Sequence, residues 1–318
     1  MRSKSLYWTI ALVLTAVFLY FSLRGIDWRQ VWTTLESTRP AYIGLTFLAA
    51  ITSLVLRAVR WRVLLLAGGP VRFATAFWAT SAGYFGNNFL PARAGELVRT
   101  VAVDAEAGLG RTFVLTTALS ERTVDAIALV LAGSLVLLTL PVRPGWYADA
   151  ARPFAIVGLC GALVIAVLPR LERLWHGLLE RLPVPEGLRG KFKHILEQML
   201  SGFRAFHDAR RLLAFLGLTA IIWPMDAVAA ILTARALNLA LNFPMALLLL
   251  TGLGLGSALP STPGYVGIYQ FVAVTVLTPF GFARAAVIAY TLLLQAIQYV
   301  NTGFWGLFAI VHFRKLKP

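Results

Sequence analysis

Apolar runs close to membrane-spanning length recur along this chain between residues 6 and 311. A bilayer interior offers no water to backbone N–H and C=O groups, so each crossing must satisfy its own hydrogen bonds as a helix. A helical span needs about 20 apolar residues. The candidates are residues 6–23, 42–56, a stretch within 112–140, 154–168, 212–237 and 287–313. Only 14% of the residues are charged and 58% are hydrophobic, whereas a soluble domain carries about 25% charged residues. The expected fold class is therefore an all-α integral membrane protein with about six full transmembrane helices.

Two further apolar regions do not read as simple spans. Residues 73–89 stop at Leu90-Pro91-Ala92-Arg93-Ala94-Gly95, and residues 243–258 stop at Leu259-Pro260-Ser261-Thr262-Pro263-Gly264. Both breaks read Leu-Pro-x-x-x-Gly, and both follow a Thr/Gly-rich apolar segment. Their spacing is constant, because Pro91 to Pro260 and Gly95 to Gly264 are each 169 positions apart. This spacing predicts a duplication: a first half over 1–168 with its break at 90–95, and a second half over 212–318 with its break at 259–264.

Lys and Arg placement orients the spans, because cytoplasmic loops are enriched in both. Arg2 and Lys4, then Arg57, Arg60 and Arg62, the basic segment 170–211, and Arg314, Lys315 and Lys317 all count as inside. Six crossings satisfy that order only if each broken region leaves on the side it enters. The expectation is two re-entrant hairpins entering from opposite faces, a pseudo-inverted repeat, with both termini cytoplasmic in a bacterial inner membrane. Met1–Leu23, with no small-residue cleavage site after it, is expected to be a retained first span. Residues 169–211 are expected to be an amphipathic cytoplasmic connection, either on the inner leaflet or against the helical domain.

The formal charge of +15 comes from 29 Lys+Arg against 14 Asp+Glu. Among spans, this excess suits anionic lipid better than nucleic acid. Cys160 is the single cysteine, so no internal disulfide is available. The four histidines have no metal-ligand spacing, and the chain carries neither a nucleotide-binding Gly-rich loop nor a serine-hydrolase elbow. No metal, cofactor or catalytic residue is expected.

A broken helix at membrane depth is tolerated where it is buried in protein or lines a wet cavity, so paired breaks mark a candidate site. Pro91, Gly95, Pro260, Pro263 and Gly267 form the hinges. Arg93 and Arg99 flank Glu96 beside a helix start, which favours a phosphate-bearing headgroup. Glu121 and Asp125 share a helix face, with Arg122 about 100° away. The same charged residues would also serve as a salt-bridge network holding the halves together. Asn87 and Asn88 could contact a ligand or cap freed backbone. Ser261, Thr262, Gly264, Tyr265 and Gln270 supply the corresponding groups in the second break, where a helix cap is the alternative for the hydroxyls.

Asn87 through Arg99, the Glu121-Arg122-x-x-Asp125 motif, and Leu259 through Gly267, in that order, resemble the flippase-like transmembrane region of lysylphosphatidylglycerol synthases. That resemblance implies a lipid flippase moving a phospholipid or polyprenyl-linked lipid between leaflets. The synthases also carry a soluble aminoacyl-transfer domain. No counterpart occurs within these 318 residues, which leaves the lipid open. The alternatives are a membrane-embedded headgroup or glycosyl transferase and a lipid-binding accessory subunit. A phosphate-bearing lipid is the expected partner, with a homo-oligomer and a separately encoded lipid-modifying enzyme left open.

Overall fold

The computed structural model describes residues 2–90, 94–139, 153, 155–156, 158–160, 163, 205–206, 208–259 and 262–315. Among them every regular element is helical. The first half contributes α1 (Arg2–Leu23), α2 (Trp28–Glu36), α3 (Pro40–Leu65), α4 (Phe73–Phe89), α5 (Gly95–Ala107) and α6 (Arg111–Thr139). The second contributes α7 (Ala209–Ala236), α8 (Phe243–Gly256), α9 (Ile268–Leu277) and α10 (Arg284–Arg314), with one-turn 3-10 helices at Pro263–Tyr265 and Thr278–Phe280.

By length and composition, α3, α6 and α7 can each cross a membrane, and Ala11–Leu23 with α2, bent by 84°, makes a fourth if the pair is one span. Large apolar side chains stay exposed on these helices, including Leu48 on α3, Leu135 on α6 and Leu213 on α7. A soluble surface avoids that much exposed apolar area, whereas lipid tails accept it. The chain is a multi-pass membrane protein. The count of six expected from sequence is not reached among the described residues. Residues 154–168 lie largely outside them, and α10, although 31 residues long, carries Gln295, Gln298 and Asn301 through its middle. The connection 169–204 and residue 207 also lie outside the described residues.

Helices α3–α6 and α7–α10 follow one another in the same order and at similar spacing. Shifting the starts of α3, α4, α5 and α6 by 169 gives 209, 242, 264 and 280, against observed starts at 209, 243, 268 and 284. Packing follows the same exchange: α4 packs on α10 as α8 packs on α6, α3 on α4 as α7 on α8, and α5 on α6 as α9 on α10. The most extensive helix pair is α3 with its own counterpart α7. These two run antiparallel, because the Arg39 N–H at the start of α3 donates to the Ala236 carbonyl (2.9 Å), while at the opposite end the Arg211 guanidinium donates to the Leu66 carbonyl (3.5 Å).

Each break is the tip of an antiparallel helical hairpin. In the first, Thr75 near the open end of α4 donates to Glu106 of α5 at 2.7 Å, while a Cβ built on Gly86 near the tip would lie 2.7 Å from the Gly95 Cα. In the second, a Cβ on Gly252 would meet Val272 and Val276, and one on Gly256 would meet Ile268 and Val272. Small residues let both helix pairs approach this closely. At Gly95 the approach is closest, since a Cβ there would run into the Gly83 carbonyl oxygen.

Candidate substrate site

The two hairpins meet halfway along α10. From the C-terminal end of α10 inward, His312 stacks on Trp78, Trp305 packs edge-on against Phe77, Gly306 lies under Phe85, and Gly303 lies beside Phe89, all residues of α4. From the other end, Ala285, Val287 and Ile288 share a core cluster with Val276 and Leu277 of α9. The tips meet around Tyr299, whose ring lies 6.0 Å from the Phe89 ring and whose hydroxyl donates to the Gly264 carbonyl at 2.6 Å. Tyr299 is roughly 20 Å from His312 along the axis at 1.5 Å per residue, about half the thickness of a bilayer with its headgroups.

Neutral polar groups satisfy the second break. Gln295 donates to the Gly264 carbonyl at 2.9 Å and accepts from Gln270 at 2.5 Å, and the Gln270 side-chain oxygen accepts from the Gly267 N–H at 2.8 Å. Gly264 has a φ of +76°, and a Cβ there would collide with the Tyr299 hydroxyl, so glycine is needed both for the turn and for the contact. Tyr265, held at φ +60°, stacks on Tyr269 at 5.0 Å. The Thr262 hydroxyl lies 3.3 Å from that of Thr15 on α1, and Pro263 opens the 3-10 turn. Gln270, assigned from sequence to the ligand, is thus committed to the backbone of the turn, as are Gln295 and Tyr299, which the break motif does not include. Pro260 and Ser261 lie outside the described residues.

Charge surrounds the first break. Asn87 accepts from the Gly95 N–H at 3.1 Å and donates to Glu96 at 3.4 Å, and buried Asn88 donates to Thr302 of α10 at 2.9 Å. Pro91, Ala92 and Arg93 lie outside the described residues. Glu96 pairs with Arg99 (2.5 Å) and Arg122 (2.9 Å), Arg99 with Glu121 (2.8 Å), and Arg60 with Glu121 (2.8 Å) and Asp125 (2.6 Å). Arg57 approaches Asp125 at 3.8 Å and pairs directly with Asp226 of α7, which also accepts from Ser53 at 2.6 Å. Four arginines thus face four carboxylates in one balanced chain linking α3, α5, α6 and α7. An unpaired charge at this depth costs several kcal/mol, which pairing and hydrogen bonding offset.

Aromatic faces cover the guanidinium groups. Arg99 sits 4.5 Å over Trp61, Arg60 4.9 Å over Phe215, Arg57 5.0 Å over Trp223, and Arg122 5.2 Å over Tyr84. Such stacking is strong in desolvated surroundings. The network is buried in its middle, where the Arg60 and Arg99 side chains are at most 2% exposed, and more open at both ends, where Arg122 is 35% and Asp226 19% exposed. Arg122, which pairs with Glu96 beside the first break, is its most accessible member.

Arg57 and Arg60 correct one expectation. Counted from sequence as cytoplasmic loop charges, they lie inside α3, which runs on to Leu65, and both are paired. Their three-residue spacing matched two carboxylates four apart on α6, and reciprocal charge spacing inside apolar segments was the signal available for finding them.

The description "Lysylphosphatidylglycerol synthase TM region" matches residues 8–306. The chain belongs to this family. The match covers α2 through α9 together with most of α1 and α10, so both breaks and the whole charge network lie within the family region. This member is also 26% identical over 326 aligned positions to a protein of Haloferax volcanii named "Glycosyltransferase AglD", with 87% of this chain in the alignment. The chain spans about half the length of that curated relative, 50%.

Proposed function

We propose that this membrane-region family member translocates a phosphate-bearing lipid, a phospholipid or a polyprenyl-linked lipid, between leaflets of a bacterial cytoplasmic membrane. The observation that carries the reading is the meeting of two broken hairpin tips around Tyr299, midway along α10. On this reading the halves are an inverted repeat, supported by the constant offset and by counterpart helices α3 and α7 running antiparallel. The hairpins are re-entrant from opposite faces, and both termini are cytoplasmic.

The mechanism follows from the energetics of a polar headgroup crossing hydrocarbon. A phosphate needs donors at mid-depth, and the first break has Arg122 beside it, with Arg93, inside the break in the sequence, a further candidate. The closed part of the network stays neutral and rigid, so the headgroup does not have to strip buried ion pairs. Rocking of the halves about the α3–α7 contact would open the junction alternately to each leaflet. No bond is made or broken in this scheme, and the chain acts as a transporter.

Purified protein in vesicles carrying nitrobenzoxadiazole-labelled phosphatidylglycerol tests this, with dithionite quenching reading the outer-leaflet fraction over time. Wild type should make the inner-leaflet label accessible, and Arg122→Ala should slow exchange about tenfold or more while the protein stays folded. Protein-free exchange rates with wild type would remove the proposal. A second reading draws on the name of the Haloferax relative: a membrane part of a lipid-linked glycosyl transferase. Mass spectrometry of the recovered lipid separates the two, because a transferase changes lipid mass and a transporter does not.

A further inference from the structure

We propose a second lipid-headgroup site, at the leaflet surface where α3 begins and α7 ends. A pocket of about 220 Å³ there is lined by Arg39, Tyr42, Arg235, Asn238, Leu239 and Ala240. None of these residues belongs to the charge network or to either break.

The local fold explains the pocket. Asn238 takes a left-handed conformation (φ +57°), which asparagine tolerates better than most residues. The Leu239 N–H then returns to the Ala234 carbonyl at 2.9 Å, ending α7 in a wrapped turn. The bond from the Arg39 N–H to Ala236 fixes the start of α3 against that turn. Two arginines from distant parts of the chain are thereby brought to one concavity, beside the Tyr42 side chain.

Neither Arg39 nor Arg235 has an acidic partner among the described residues, although Glu36 lies only one turn before Arg39 in sequence. Two exposed arginines lining one concave surface, with no carboxylate among its lining residues, suit a tetrahedral phosphate, which accepts paired hydrogen bonds from a guanidinium group.

A separate observation sets the pocket's depth. Immediately before it, α2 turns 84° from Ala11–Leu23 and buries Val31 while leaving Trp28 and Trp32, one helical turn apart, 54% and 64% exposed. Exposed tryptophans on a short amphipathic helix beside a span sit at headgroup level, where the ring is apolar and the indole N–H is wet. Only Ser37 and Thr38 separate Glu36, the last residue of α2, from Arg39, so Arg39 lies close to the level of α2. The phosphate in reach is therefore that of a membrane lipid, and the pocket is a docking point for a headgroup in this leaflet.

The test is binding and does not require transport, so it can fail independently of the translocation reading. Full-length protein in phosphatidylcholine nanodiscs is doped with phosphatidylglycerol or, separately, with diacylglycerol, and native mass spectrometry counts retained lipid. Wild type should retain phosphatidylglycerol over diacylglycerol, and Arg39→Gln/Arg235→Gln should lower that retention about tenfold. Arg210→Gln, at the opposite end of α7, should not. Equal retention by the double variant, with its thermal midpoint unchanged, would overturn the site. Titration with inorganic phosphate supplies the other arm. If it binds saturably in wild type but not in the double variant, while phosphatidylglycerol retention is the same in both, the ligand is soluble phosphate and the lipid assignment falls.

Discussion

Arg57 and Asp226 are 169 positions apart, the same interval that separates the two breaks, and they carry opposite charges and pair directly. Replacing Asp226 with Leu removes the nearest anion to a guanidinium whose side chain is 12% exposed and leaves the Ser53 hydroxyl without its acceptor. Removing one partner of a buried pair costs about 3–5 kcal/mol. Here Asp125, 3.8 Å away, partly replaces the lost carboxylate, and Asp226 itself is 19% exposed. The net loss should be about 2–3 kcal/mol, or about 3–5 °C in the melting midpoint of a chain this size. Arg57→Met alone should cost a similar amount by stranding Asp226. The pair Arg57→Met/Asp226→Leu replaces both charges with apolar groups of similar bulk and should cost under about 1 kcal/mol, a coupling of roughly 3 kcal/mol or more. Thermal unfolding of detergent-purified protein, followed by tryptophan fluorescence, measures all four corners of the cycle. Strictly additive losses would refute the direct pairing and, with it, the claim that this contact ties the two halves.

Other substitutions probe separate parts of the fold. Gly95→Ala would drive a methyl group into the Gly83 carbonyl and the Asn87 side chain, so it should destabilise by about 1–3 kcal/mol, whereas Gly44→Ala, with nothing within 4 Å, should stabilise by about 0.5–1 kcal/mol in the same melting assay. Arg60→Met should be the costlier network change, about 3–5 kcal/mol, because it leaves Glu121 and Asp125 facing each other without their shared cation. Asp208 accepts from the Arg211 N–H at the start of α7, and that bond holds its pKa below the ordinary aspartate value. A lowered folded pKa means that the cap's stabilisation is complete above about pH 4 and is lost as pH falls through the folded value. Asp208→Ala should therefore narrow the difference in melting midpoint between pH 6 and pH 3.

Sequence disclosed the helical membrane class, the two breaks and their offset, because hydropathy and the Pro/Gly punctuation are local properties. It did not disclose α2. Trp28–Glu36 is too short and too mixed to register as a span, and only the bend after Leu23 shows that it leaves the axis of α1. Arg57 and Arg60 were hidden for a related reason. The apolar run ends near residue 56, but the helix continues to Leu65, and burial of its last turns depends on carboxylates more than 60 residues away on α6. Arg99 and Glu121 were legible as residues that either bind a headgroup or pair in a salt-bridge network, and distance in space is what separates the two readings. Their geometry shows each engaged with the other at 2.8 Å.

The two tips differ in chemistry: Glu96, Arg99, Glu121 and Arg122 lie beside the first, and Gln270, Gln295 and Tyr299 beside the second. If the halves are inverted, one hairpin tip meets the bilayer midplane lined by ionised groups and the other by glutamines and a tyrosine. A headgroup approaching the charged tip gains donors that were already paired, and so must compete with Glu96 for Arg122. A headgroup approaching the neutral tip meets dipoles already spent on the Gly264 carbonyl. Neither side then offers a deep well, and a site that must release its lipid into either leaflet needs that shallowness: any donor left wholly free at mid-depth would hold a phosphate too tightly to let it go.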